Sequence, residues 1–183
     1  MKRLLIQLFR KIHTILITFF IRNIEVHGTV SGYFKSKIKV RENGKISFGN
    51  NVSTLKRCLI AARDHGDIRI GDNCFFNYNC FIVSRGSISI GPHCIFGPNV
   101  FIYDHDHKYG NNGLEEGYKV GTIKIGSNCW IGAGTIILRN TVIGDNCIIG
   151  AGTVVSGNIP DNSIVTGIRS LCVKQLQPHE GSM

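Results

Sequence analysis

The chain has 183 residues, 43% of them apolar, and a formal net charge of +9. This is the size of one ordinary domain, and 22 glycines against four prolines are typical of many regular turns. The basic balance suits an anionic lipid surface or a phosphorylated small molecule. No nucleic-acid-binding motif accompanies the positive charge, so we expect no nucleic acid partner.

Residues 1–22 are predicted to form an amphipathic helix. Polar residues recur at spacings of three and four from Arg3 to Thr18, and most other positions are Leu, Ile or Phe. The nearly clean apolar stretch 12–21 is too short to span a bilayer. Basic residues beside a broad apolar face suit a helix in the interface of an anionic membrane. The alternatives are packing on the coil ends of the protein's own assembly and an uncleaved signal-anchor.

From Phe48 the chain repeats in units of six, after a lead-in segment at 23–45. Each unit begins with a large apolar residue and often has glycine second, asparagine fourth and a small residue fifth, as in "IGDNCF" and "IGDNCI". Short strands joined by tight turns would stack as triangular coils, with the first residue inward and each strand paired to the coils above and below. The sequence therefore predicts an all-β, parallel β-helix over residues 46–166, followed by a tail at 167–183.

The cysteines follow the same period. Six of the seven occupy the fifth position of a unit: Cys58, Cys74, Cys80, Cys94, Cys129 and Cys147. This position points into a corner with little room, so we interpret the thiols as small core fillers in a reducing compartment, the cytoplasm. The chain has no CxxC pair and no ligand spacing for structural zinc, so we expect no metal requirement.

One coil is interrupted by "DHDHKYGNNGLEEGYKVGT", residues 104–122. Long insertions inside a compact domain usually carry function, although a solvated loop that tolerates insertion is the alternative. The segment contains two histidines and four acidic residues: His105, His107, Asp104, Asp106, Glu115 and Glu116. In a continuing strand, residues 105 and 107 point to the same side. We therefore expect this protruding loop to carry the functional site.

The repeat resembles the hexapeptide-repeat family, whose fold is a left-handed parallel β-helix. The stretch from "IGDNCF" to "YDHDH" is similar to galactoside and maltose O-acetyltransferases, and more closely to sugar O-acetyltransferases of bacterial surface polysaccharide biosynthesis. This resemblance implies acetyl-CoA as co-substrate and a homotrimer with the active site at the subunit boundary. It also implies a histidine general base, which falls on His107. An imidazole removes the proton of an attacking hydroxyl near neutral pH.

Several neighbours of this base remain open candidates. His105 could share the pocket, and one of the four carboxylates could orient the imidazole or line the acceptor site. Asn77 stands where glycine usually fills the second position, and the related enzymes have a substrate-binding asparagine there. A turn asparagine is an equal alternative. Where galactoside-type enzymes carry an acidic residue, this chain has Arg85, which suits a phosphate or carboxylate on the acceptor.

Two glycine-rich corners, "WIGAG" and "IIGAG", match the family's CoA-binding coils. The contact positions that the resemblance implies are Trp130, Ala133, Gly134, Ala151 and Gly152. Glycine and alanine also suit bare corners. The lysine and proline of the family's "TKDIP" and "GNPAK" motifs are missing from "SGNIP" and "GIRSL" here. The basic residues that could bind the CoA phosphates instead are Arg139, Arg169 and Lys174.

The sequence thus predicts a cytoplasmic O-acetyltransferase, peripheral on the inner face of the membrane, that acts on a sugar during surface polysaccharide or lipopolysaccharide assembly. The acceptor is expected to be lipid-linked or phosphorylated, and transfer is expected to be direct. One alternative is an N-acetyltransferase of an amino-sugar nucleotide, and another is a non-catalytic trimeric scaffold or binding protein. A metal-dependent carbonic anhydrase fits less well, because a His-x-His pair does not match its three ligand histidines.

Overall fold

The computed structural model describes residues 2–32, 36–111 and 113–167. Within these residues the chain forms one α-helix, α1 (Lys2–Phe20), and 22 β-strands. The predicted tail lies outside the described residues except for Gly167. No helix in the described part of the chain is both long and apolar enough to cross a membrane.

Twelve strands precede the predicted interruption. They are β1 (Ile24–Val26), β2 (Val30–Ser31), β3 (Lys37–Val40), β4 (Lys45–Phe48), β5 (Val52–Thr54), β6 (Leu59–Ala62), β7 (Asp67–Ile70), β8 (Phe75–Phe76), β9 (Phe81–Ser84), β10 (Ser87–Ile90), β11 (Ile95–Phe96) and β12 (Phe101–Tyr103). A hairpin of β13 (His105–Gly110) and β14 (Gly113–Val120) follows. The remaining strands are β15 (Thr122–Ile125), β16 (Trp130–Ile131), β17 (Ile136–Ile137), β18 (Thr141–Ile143), β19 (Ile148–Ile149), β20 (Val154–Val155), β21 (Asn158–Ile159) and β22 (Ile164–Val165).

These strands, apart from the hairpin, form three parallel sheets that are the faces of a prism. The first face is β1-β4-β7-β10-β15-β18-β21, the second is β2-β5-β8-β11-β16-β19-β22, and the third is β3-β6-β9-β12-β17-β20. Each strand lies in register on its counterpart in the next coil, as where Ile88 pairs with Ile68 on one side and Ile123 on the other. The predicted parallel β-helix is confirmed, because every third strand returns to the same face.

The solenoid begins earlier than the hexad pattern indicates. Ile24 pairs with Ile46, and Val30 pairs with Val52, so β1, β2 and β3 add a complete coil within residues 23–45. This segment lacks the Gly-Asn signature of the later units, although its inward positions are still aliphatic. Strand pairing with the following coil compensates for the weak local pattern.

The core contains the residues that begin each unit. All of them are buried: Phe48, Thr54, Ile60, Ile70, Phe76, Ile82, Ile90, Phe96, Ile102, Ile125, Ile131, Ile137, Ile143, Ile149 and Val155. The six predicted cysteines are also buried and free, and their thiols donate to backbone carbonyls of the next coil, as from Cys94 to Gly126 at 3.1 Å. Their role as core fillers is confirmed.

The fourth position of each unit turns the corner. Seven asparagines there have φ between 56° and 61°: Asn51, Asn73, Asn79, Asn99, Asn128, Asn140 and Asn146. Asparagine tolerates this left-handed conformation better than most residues. Stacked side chains also hydrogen-bond between coils, as from Asn79 Nδ2 to Asn99 Oδ1 at 3.1 Å. The corner residue therefore both permits the turn and links neighbouring coils.

The predicted N-terminal helix is present and covers the first-coil end of the prism. It packs on β1 and β2. Its Ile17 is fully buried, and the Thr14 hydroxyl accepts a hydrogen bond from the Val30 backbone at 3.2 Å. The helix thus closes the open end of the core.

Candidate active site

The insertion is a two-stranded antiparallel hairpin rather than an irregular loop. β13 and β14 pair from His105↔Val120 at the base to Gly110↔Gly113 near the tip, with a bulge between His107 and Tyr109. The hairpin leaves the prism at Asp104 and returns at Gly121, whose N–H donates to the Asp104 carbonyl at 2.8 Å. This root lies at the corner between the third and first faces, where the sequence runs from β12 to β15.

Asp104 is the centre of a buried hydrogen-bond network at the hairpin root. Its side chain is completely enclosed. Oδ2 accepts from the Ser84 hydroxyl at 2.6 Å and from the Gly86 N–H at 2.9 Å, while Oδ1 accepts from the Arg85 N–H at 2.9 Å. All of these donors come from the preceding coil, so the stacking of coils builds the network.

The same contacts decide the ionisation of Asp104. Burial by itself would raise the pKa of the carboxyl group, but hydrogen bonds from His105, Ser84 and two backbone N–H groups outweigh burial and hold the pKa below its ordinary value. Asp104 is therefore a carboxylate at neutral pH, and it can only accept hydrogen bonds.

The two histidines of the hairpin have different surroundings. His105 is nearly enclosed, with its side chain 12% exposed, and its Nδ1 lies 3.0 Å from Asp104 Oδ1. Because the ionised carboxylate can only accept, Nδ1 is the donor of this hydrogen bond, and Nε2 is the ring nitrogen that Asp104 does not engage. His107 is exposed on the same strand, opposite Tyr118. The Tyr118 ring contacts both imidazoles, with centroid distances of 5.3 Å to His105 and 4.8 Å to His107.

Arg85 joins the prism to the hairpin. Its side chain is 12% exposed and forms an ion pair with Asp64 of the preceding coil. Its guanidinium carbon lies 3.6 Å from the centroid of the Tyr118 ring. The Arg85 charge thus faces a carboxylate and an aromatic ring of the same chain, and these contacts connect the hairpin to the prism. Binding of an anionic acceptor by Arg85 stays a prediction.

The remaining carboxylates of the insertion form no ion pair with an imidazole ring among the described residues. Asp106 accepts a hydrogen bond from Arg139 Nε at 2.7 Å, which ties the hairpin to the corner before β18. Arg139, a candidate for the CoA phosphates, is therefore engaged at the hairpin root. Glu115 and Glu116 are exposed toward the outer end of β14. Of the four candidates, Asp104 is the one that contacts a histidine in the described structure.

The predicted donor site lies at a different corner, between the second and third faces. Trp130 on β16 is 55% exposed, and Ala133 and Ala151 are exposed at stacked corners. Gly134 and Gly152 adopt left-handed φ of 69° and 68°, so both glycines have a conformational reason to be there. The two corners stack directly, because the Gly152 N–H donates to the Ala133 carbonyl at 2.7 Å, and they form a small-residue column that follows β16 and β19.

Asn77 belongs to that same corner, on an earlier coil. Its Oδ1 accepts a hydrogen bond at 2.8 Å from the N–H of Tyr78, the next residue in the chain. The third face separates it from His107, and a strand with its turn spans roughly 20 Å. One chain therefore does not bring Asn77 and the small-residue column together with the histidines. Two further donor-site candidates, Arg169 and Lys174, lie outside the described residues.

Three contact residues at the histidine corner were not predicted. Ser84, Asp64 and Tyr118 each reach the site from another strand or coil. Tyr118 would follow from the sequence only if the hairpin and its register were known, because it lies opposite His107. Ser84 and Asp64 require knowledge of which corner positions stack, since both are about one coil away from their partners in sequence.

The fold defines a parallel β-helix protein, and the repeat matches known families. The family model "Bacterial transferase hexapeptide (six repeats)" matches residues 122–157, and "Hexapeptide repeat of succinyl-transferase" matches residues 67–104. Residues 67–104 and 122–157 of the chain are therefore similar to hexapeptide repeats of bacterial transferases.

Curated relatives carry the names of acetyltransferases. One relative, named as an acetyltransferase of Staphylococcus aureus (strain MRSA252), is 38% identical to this chain over 106 residues. These residues are 57% of this chain and 53% of the relative. The chain thus matches about half the length of that protein. The lipopolysaccharide biosynthesis O-acetyl transferase WbbJ of Escherichia coli, so named, is 27% identical over 146 residues, which are 74% of each chain.

Among solved structures, a mutant of AntD, an N-acyltransferase from Bacillus cereus in complex with dTDP and coenzyme A, is similar with a TM-score of 0.67. The similarity covers 90% of this chain and 89% of AntD, at 20% sequence identity. This likeness shows a shared fold. Separately, no group of three His, Cys, Asp or Glu side chains in the described residues is arranged to hold a metal ion.

Proposed function

We propose that this protein is an acyltransferase that moves the acetyl group of acetyl-CoA to a hydroxyl of a sugar in surface polysaccharide or lipopolysaccharide assembly. The observation that carries the proposal is the pair of imidazoles on the hairpin, anchored to a buried, ionised Asp104. The names of the curated relatives support acetyl transfer, and the name of WbbJ supports a glycan acceptor. Buried free thiols agree with the cytoplasm as the compartment.

His107 is the proposed general base. It is exposed on β13, so an acceptor hydroxyl can approach its ring. As the hydroxyl oxygen bonds to the thioester carbonyl carbon, the imidazole takes the hydroxyl proton. The carbon–sulfur bond then breaks, and the imidazolium returns the proton to the departing CoA sulfur. The acetyl group thus passes directly from CoA to the hydroxyl oxygen, without a covalent acyl-enzyme intermediate.

His105 and Asp104 are proposed to position that base. The Asp104–His105 bond holds the first residue of β13 against the prism, and the Tyr118 ring contacts both imidazole rings. A fixed ring loses less rotational freedom when the acceptor arrives, which lowers the barrier. Asp104 contacts only the Nδ1 of His105, and 12% of the side chain is exposed, so His105 is the competing base.

A second copy of the chain is proposed to complete the site. The histidines and the small-residue column lie at different corners of one prism, so both can border one groove only if a neighbouring prism contributes the second corner. Exposed apolar side chains on the second face support such a contact, namely Ile95, Trp130 and Ile148. Burial of these apolar side chains against a second chain is favourable. A homotrimer would form three equivalent contacts with a single type of interface.

Release of free CoA from acetyl-CoA, measured with a panel of acceptors, tests the proposal. The panel contains neutral sugars, sugar phosphates and amino-sugar nucleotides, and compares wild type with His107→Ala. His93→Ala is the matched control, because His93 is exposed at a corner outside the site. We expect hydroxyl acceptors to be used by wild type and the control, with a loss of about 10²–10⁴-fold in His107→Ala.

Other results would redirect the assignment. Turnover confined to amino-sugar nucleotides, with little effect of His107→Ala, would indicate N-acetylation, because a deprotonated amine needs a base less. Equal activity of His107→Ala with hydroxyl acceptors, together with loss in His105→Ala, would move the base to His105. Absence of CoA release with every acceptor would favour the scaffold.

A further inference from the structure

The N-terminal helix presents an apolar stripe that stays exposed within the described part of the chain. The stripe recurs at spacings of three and four along α1, and its members are Leu8, Ile12, Ile15, Leu16, Phe19 and Phe20. Phe19 is 80% exposed and Phe20 is 75% exposed. A contiguous exposed apolar surface of this kind marks a site of contact.

The opposite side of the helix explains why the stripe points outward. Ile17 is fully buried, and the partly buried Ile21 packs on the same core. Thr14 is bonded to Val30 of the first coil. These contacts fix the rotation of the helix about its own axis. The apolar stripe is therefore held facing away from the end of the prism.

The charge around the stripe indicates which kind of partner binds it. Residues 1–24 contain five basic side chains and no acidic one: Lys2, Arg3, Arg10, Lys11 and Arg22. Lys11 and Arg22 are exposed in the structure. A second protein surface of ordinary composition would not require this excess of positive charge, whereas a bilayer with anionic lipid headgroups matches both the charge and the apolar stripe.

We propose that α1 is a docking surface for an anionic lipid bilayer, on which the helix lies parallel to the membrane plane. The stripe enters the boundary between headgroups and acyl chains, and the basic residues contact phosphate groups. Since α1 covers the first-coil end of the prism, the first coil faces the membrane and the solenoid extends into solvent. This places the hairpin three coils away from the bilayer surface.

Sedimentation of the full chain with vesicles tests the proposal, using phosphatidylcholine alone and phosphatidylcholine mixed with phosphatidylglycerol. We expect binding to the mixed vesicles, reversed by salt because exposed charges are screened. Phe19→Ser or Ile15→Ser should each weaken binding by about tenfold or more, from the lost apolar burial. The double variant Lys11→Ala, Arg22→Ala should weaken it by about thirtyfold, at roughly 1 kcal/mol per basic residue.

Val154→Ser is the matched control, because Val154 is 57% exposed on β20 at the other end of the solenoid. It should bind vesicles like wild type. The proposal is overturned if wild type does not bind the mixed vesicles at low salt, or if Phe19→Ser binds as well as Val154→Ser. It is also overturned if Phe19→Ser changes the molecular mass of the assembly in sedimentation equilibrium, because the stripe would then be an interface between copies. Acetyl transfer to a soluble acceptor is expected to be unchanged in all of these variants.

Discussion

Arg85 and Tyr118 are 33 residues apart in sequence, yet the guanidinium carbon of one lies 3.6 Å from the ring centroid of the other. The contact joins the corner between β9 and β10, one coil before the hairpin root, to the returning strand of the hairpin. Since Asp64 holds the other side of the guanidinium, the hairpin is fastened to two coils of the prism at once. The position of both histidines depends on this attachment.

Arg85→Lys is expected to loosen the hairpin while leaving the prism folded. Lysine keeps the charge but lacks the flat guanidinium that stacks on an aromatic ring, and such stacking is worth about 0.5–2 kcal/mol. Amide hydrogen exchange of β13 and β14 should become about threefold to thirtyfold faster, with little change elsewhere. Arg69→Lys on the first face is the control, and its exposed side chain pairs with Asp67. Unchanged exchange in Arg85→Lys would contradict the attachment.

Asp104→Asn is expected to destabilise the fold in a pH-dependent way. The folded state depresses the pKa of Asp104 below its ordinary value of 3.8. The carboxylate therefore contributes stability that is fully present above that value and is lost as the pH falls through the folded pKa. At pH 7 the variant should lose about 3 kcal/mol or more of unfolding free energy, because an amide cannot accept from every donor of the network.

Urea unfolding of wild type and Asp104→Asn between pH 7 and about pH 3 measures this difference. The gap between the two proteins should stay constant above about pH 5 and narrow below about pH 4. A gap that is independent of pH throughout would show that the carboxylate charge is not what stabilises the network. Asp145→Asn, at an exposed corner, is a suitable control.

His105→Asn should retain more acetyl transfer than His105→Phe. An asparagine amide can still donate to the Asp104 carboxylate, whereas phenylalanine leaves that buried charge with one partner fewer. If His105 positions the hairpin, the asparagine variant keeps the wild-type pH profile and loses about tenfold or less in kcat/KM. A loss as large as that of His107→Ala in both variants would instead identify His105 as the base.

Gly132→Ala is expected to lower the free energy of unfolding by about 1–3 kcal/mol, the usual cost of overpacking. A Cβ at Gly132 would lie 2.6 Å from the Ala151 nitrogen and 2.7 Å from the Ile149 oxygen. Gly150→Ala is the matched control, because the nearest atom to its added Cβ is the Val165 oxygen at 3.2 Å. Chemical denaturation of both variants distinguishes a packing role for this corner from a role confined to donor binding. Equal unfolding free energies of Gly132→Ala and Gly150→Ala would contradict the close approach of the next coil to Gly132.

The amino-acid sequence by itself determined the repeat, the inward residues and the role of the cysteines. These follow from a pattern with a short period, in which each residue's environment depends on its position within one unit of six. The first coil escaped detection because its corners lack the Gly-Asn signature, and only pairing with the next coil places Ile24 and Val30 inward.

The tertiary structure alone decided how the candidate site is arranged. Spacing could not choose among four carboxylates, whereas stacking of coils buried Asp104 among donors from the preceding coil and left Glu115 and Glu116 exposed. It also gave Arg85 two partners within the chain and placed Asn77 at a different corner from His107. Contacts of this kind join residues one or more coils apart, so they depend on the register between coils, which no single unit of six encodes.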